Sequence, residues 1–149
     1  MINTQTSKID NKTAEMWADS LLRQNPILSN KLENIPLDER VDPRKLLIEV
    51  VKFLYLVSIS DMKLSPSLIV DLGWHEFILF TRGYQNFCIE QLGRFIHHVP
   101  DDDKASNNRA FLKTIQYYIT IFGKPPANIW GDLSQNEWSD SQCGSCKST

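Results

Sequence analysis

The side chains with the richest chemistry in this chain fall in three short stretches: Asp71-Leu72-Gly73-Trp74-His75-Glu76, His97-His98, and Cys143-Gly144-Ser145-Cys146. Residues four apart share a helix face, so Asp71 and His75 can meet there. A carboxylate that accepts a hydrogen bond from one imidazole nitrogen fixes the tautomer. It leaves the other nitrogen free to bind a metal or move a proton. The same pair can equally satisfy a half-buried histidine beside Trp74 and do nothing more. His75-Glu76 opens like a zinc-protease helix. That motif needs a second histidine four residues after the first, and position 79 is Leu79, so the metalloprotease reading is excluded.

His97 and His98 sit in a segment closed by Pro100. Side chains alternate along an extended chain, so only one of the two readily joins a given site. Cys143-x-x-Cys146 has the spacing at which two thiolates reach one zinc ion, and also that of a redox dithiol. Together these residues predict a zinc site built from His75, one of His97 and His98, Cys143 and Cys146, with Asp71 as the outer partner of His75. If protein fills all four positions the metal is structural; an open position can activate water. Two other readings use the same region. One is a metal-free adaptor that binds a protein partner through the aromatic anchors Trp74, Tyr84, Trp130 and Trp138. The other is an enzyme in which His75 is a general base oriented by Asp71. Cys88 lies thirteen residues after His75, nearly opposite it on a straight helix, and reads as a small core residue.

The elements that must position these groups are helical. Ala14, Trp17, Ala18, Leu21 and Leu22 predict a helix from about 12 to 24, which Asn25-Pro26 stops. A short amphipathic helix follows before Pro36. Asp42-Pro43 pairs an N-cap with proline at the first helical position. From there Leu46 to Val57 forms a broad apolar face, with Arg44, Lys45, Glu49 and Lys52 placed off it. Ser65-Pro66 repeats the start signal for a helix through Trp74 and Ile78, which Gly83 kinks or divides and Gly93 ends. Residues 94–100 read as an extended connector. Asp101-Asp102-Asp103 precedes a helix from about 104 to 122, closed by Gly123 and Pro125-Pro126. The predicted fold is all-α: one compact bundle of about four to six helices over 11–130. A flexible start at 1–10 and an irregular tail at 131–149 flank it.

Composition narrows the field. At 149 residues with 42% hydrophobic content, the chain can bury a core without disulfide staples. Its net charge of −2 offers no basic footprint for nucleic acid or an anionic membrane. No apolar run reaches the roughly 18–20 residues of a membrane span, and the polar N-terminus is not a secretory signal. An odd cysteine count argues against a secreted disulfide framework, and cytoplasmic residence follows as the default. There is no phosphate-binding glycine loop and no Gly-x-Ser-x-Gly elbow.

Asp71-x-x-Trp74-His75, Thr81-Arg82-x-Tyr84-x-x-Phe87-Cys88 and Gly93-Arg94-Phe95-Ile96-His97-His98-Val99-Pro100, in that order, resemble the glycine-rich domain-containing protein-like family, closest to its small bacterial members. The resemblance spans roughly residues 40–100. It implies an α-helical fold in which 71–98 acts as a unit, and it names no reaction. The plant relatives carry Trp-His-x-His where this chain has Phe77, and they carry glycine-rich segments where this chain has six glycines in all.

Overall fold

Asp42 begins the element around which the others pack: its carboxylate accepts from the Lys45 amide, and Pro43 occupies the first turn. In the computed structural model, which describes residues 9–142, this helix runs Pro43–Ile59 and is buried on all sides from Leu46 to Leu56. Numbered along the chain, the helices are α1 (Asn11–Gln24), α2 (Leu28–Glu33), α3 (Pro43–Ile59), α4 (Leu68–Ile78), α5 (Thr81–Phe87), α6 (Lys104–Phe122), α7 (Ala127–Trp130) and α8 (Asp132–Gln142). A π-helical segment, Cys88–Leu92, extends α5. The molecule is mostly helical and compact, and α3 packs against α1, α2, α4, α6 and the π segment.

That central position corrects one sequence expectation. Glu49 and Lys52, placed off the apolar face, are both buried. A helix enclosed on every side has no solvent face to give them, so they partner each other instead. Lys52 Nζ lies 3.3 Å from Glu49 Oε2 and donates to the Tyr118 hydroxyl at 3.1 Å. Tyr118 and Trp130 Nε1 both donate to Glu49 Oε1, at 2.6 and 2.8 Å.

The start signal at Ser65-Pro66 operates two residues later. Ser67 caps α4, its hydroxyl accepting from the Val70 amide. The division expected at Gly83 falls instead at Leu79-Phe80, and Gly83 lies inside α5. Gly93, at φ +84°, ends the π segment in the left-handed region that favours glycine. Residues 94–103 then run without helix to the Asp103 cap of α6. Beyond α6 the expected irregular tail is helical through Gln142. The cause is tertiary: Ile129 and Trp130 insert into the core, and α8 packs on α6 and α7.

Gly73 faces α3 at close quarters. A Cβ there would stand 3.0 Å from side-chain atoms of Leu46 and Val50, so glycine lets α4 approach α3 closely. Among the described residues no helix is long and apolar enough to cross a membrane.

Candidate metal centre

Helix α4 presents Asp71 and His75 one turn apart toward a cleft, and the connector after the π segment brings His98 up to them. His98 Nε2 lies 2.8 Å from His75 Nε2 and 2.8 Å from Asp71 Oδ1. Asp71 Oδ2 is 3.6 Å from His75 Nε2. The expected Asp71–His75 hydrogen bond is therefore replaced by one between Asp71 and His98, because the connector brings the second imidazole closer than the neighbour on the helix. Among the described residues, Asp71, His75 and His98 form a group whose potential ligand atoms all lie within 4.8 Å of one another.

Proton counting shows what this crowding means. An imidazole Nε2 has one position for either a proton or a lone pair. With a proton, His98 Nε2 can serve Asp71 or His75, and the other contact is left unmade. Without one, its lone pair faces a carboxylate oxygen. A cation placed among the three atoms accepts all their lone pairs at once. Tetrahedral zinc with bonds near 2.0–2.1 Å holds two nitrogens roughly 3.3 Å apart. Both 2.8 Å contacts of His98, to His75 and to Asp71, would therefore need to open by about half an ångström to admit an ion, the partners moving back. His75, with 54% of its side chain exposed, has room to do so.

The connector is fixed at both ends. Tyr84, buried on α5, accepts from Trp74 Nε1 at 3.0 Å and donates to the Ile96 carbonyl at 2.6 Å. This anchors the backbone two residues before His98. Burial raises the Tyr84 pKa above the ordinary tyrosine value, so the hydroxyl keeps its proton for that bond. The His98 ring packs on Trp74, with centroids 4.4 Å apart. At the far end Lys63 pairs with Asp101 and donates to Asn107 Oδ1 at 3.1 Å. The Lys63 ammonium and the Asp103 amide together hold Asp101 below the usual carboxylate range.

The other described residues singled out by sequence add no ligand atom to this cluster. His97 is exposed, its ring edge-on to Phe95 at 4.7 Å. Cys143 and Cys146 lie outside the described residues. Cys88 is buried, and burial raises its thiol pKa. Trp74, Tyr84 and Trp130, read as anchors for a partner, are buried core residues. Trp138 is half-buried on α8. The anchoring role of Tyr84 and the clamp of Lys63, Asp101 and Asn107 had no sequence signal, since each joins segments far apart in the chain.

A family model matches residues 19–118, about two-thirds of the chain. The chain belongs to the UCP032817-like family. This overturns the resemblance to the glycine-rich domain-containing protein-like family, which no match supports. The pieces that carried that resemblance lie within the matched residues and build the Asp71, His75 and His98 cluster and its connector. The UCP032817-like description brings no activity with it. Neither a curated protein nor a solved structure matches the chain.

Proposed function

We propose that Asp71, His75 and His98 bind a divalent zinc ion, with coordination positions left open to a ligand from solvent. One observation carries the reading: His98 Nε2 has both an imidazole nitrogen and a carboxylate oxygen at 2.8 Å, more close polar neighbours than one proton can serve. Two imidazoles and a carboxylate are the donor count of catalytic zinc sites, whereas structural sites take four protein ligands. The same set suits iron(II), and elemental analysis distinguishes the two. An ion held this way acts as a Lewis acid toward whatever occupies the open position.

The test is elemental analysis of protein purified without a histidine tag, followed by zinc titration. We expect about one ion per chain and a higher melting temperature when zinc is present. Asp71→Asn and His98→Ala should each lose the ion. A wild-type chain that takes up no metal and melts at the same temperature with and without zinc overturns the proposal. Cys143→Ser/Cys146→Ser separates an open site, which keeps its zinc, from a closed one completed by thiolates, which does not.

A further inference from the structure

We infer that the cleft beside Asp71, His75 and His98 takes a small oxyanion, a carboxylate or a phosphate, held between the metal and the Arg94 guanidinium. The inference rests on the metal reading above. The cleft has a volume of about 840 Å³, within the range of about 300–1,000 Å³ typical of small-molecule sites. Its walls include the apolar side chains of Phe53, Leu64 and Trp74.

Charge selects the ligand class. Lys63 and Arg94 line the cleft against Asp61, Asp71 and Asp101, an excess of one carboxylate. A divalent ion turns that into an excess of one positive charge, so the loaded cleft attracts anions where the metal-free one does not. The carboxylates are already engaged. Asp101 pairs with Lys63, Asp71 faces the histidines, and Asp61 has an interaction of its own.

Arg94 is the cation left over. One of its terminal nitrogens donates to the Val57 carbonyl in the last turn of α3 at 2.9 Å. This fixes the head group at the cleft wall and leaves the remaining N–H donors of the fork for a ligand. Among the described residues Arg94 has no ion-pair partner. A planar guanidinium matches carboxylate and phosphate oxygens in pairs, so it grips one end of an oxyanion whose other oxygen meets the metal.

The experiment uses the full chain loaded with cobalt(II), whose visible bands report ligands entering the coordination sphere. Oxalate and inorganic phosphate are titrated separately, with calorimetry alongside. We expect at least one of the two anions to bind the cobalt protein and shift the visible bands, and neither to bind metal-free protein. The arm that responds assigns the ligand to carboxylates or to phosphates. Arg94→Gln should take up cobalt with unchanged affinity and spectrum, which also shows that it folds. It should bind the anion roughly tenfold or more weakly, as loss of a charge-assisted pair predicts. Arg94→Lys, which keeps the charge without the fork, should fall between. Equal anion binding with and without metal, unchanged affinity in Arg94→Gln, or no binding of either anion to the cobalt protein overturns this inference alone. Failure of the wild type to take up cobalt overturns the metal reading, and this one with it.

Discussion

His97 and His98 share a side-chain type and a backbone segment and differ in the face they present. His98 packs between Trp74 and His75, while His97 is exposed against Phe95. The two variants should therefore separate cleanly. His98→Ala is expected to lower metal affinity by more than the roughly 10–100-fold cost of losing an outer-shell partner. His97→Ala should leave the zinc titration curve where it is. Equal losses in both would mean that the connector as a whole, and not one imidazole, meets the ion.

Scaled up to elements, the connector is placed by what it is tied to. The buried chain Trp74 Nε1, Tyr84 hydroxyl, Ile96 carbonyl links α4, α5 and the connector. Tyr84→Phe leaves one donor and one acceptor buried without a partner. It should cost about 1–3 kcal/mol per unsatisfied group, read from the urea midpoint. It should also weaken zinc binding without touching a ligand, because His98 hangs from that carbonyl. Trp74 is 6% exposed and packs against Phe53 at 5.4 Å and against His98. Trp74→Ala should cost about 3–5 kcal/mol, as deletion of a large core side chain does, and an unchanged midpoint would remove Trp74 from the core argument.

Across the whole molecule, the buried polar cluster of Glu49, Lys52, Tyr118 and Trp130 joins α3, α6 and α7. Glu49→Ala strands the Lys52 charge and two aromatic donors, and should cost about 3–5 kcal/mol in chemical denaturation. Alkaline pH probes the fold differently. Burial, reinforced by the Glu49 carboxylate, raises the Tyr118 pKa above the ordinary tyrosine value, and burial does the same at Tyr84. The folded chain thus keeps protons that the unfolded chain gives up above about pH 10. Their contribution to stability is complete below about pH 10 and declines as pH rises further. Urea midpoints measured between about pH 9 and pH 11 should fall, and Tyr118→Phe should flatten the fall.

The amino-acid sequence by itself determined what depends on near neighbours. The Asp42-Pro43 start of α3, the Gly93 and Gly123 stops, the span of α6 and the non-helical run after Gly93 are each set by residues within a turn or two. So was the one-turn spacing of Asp71 and His75, because helical periodicity is local. Tertiary structure decided what depends on residues far apart in the chain. It chose His98 over His97, because the Tyr84 tether and the Trp74 ring set how the connector faces α4. It paired Asp71 with His98 at 2.8 Å in place of His75. It buried Glu49 and Lys52, which a helical wheel places off the apolar face, because α1, α2, α4 and α6 all pack on α3. Local pattern measures which side of a helix is apolar; how many sides are covered is settled only when the other helices arrive.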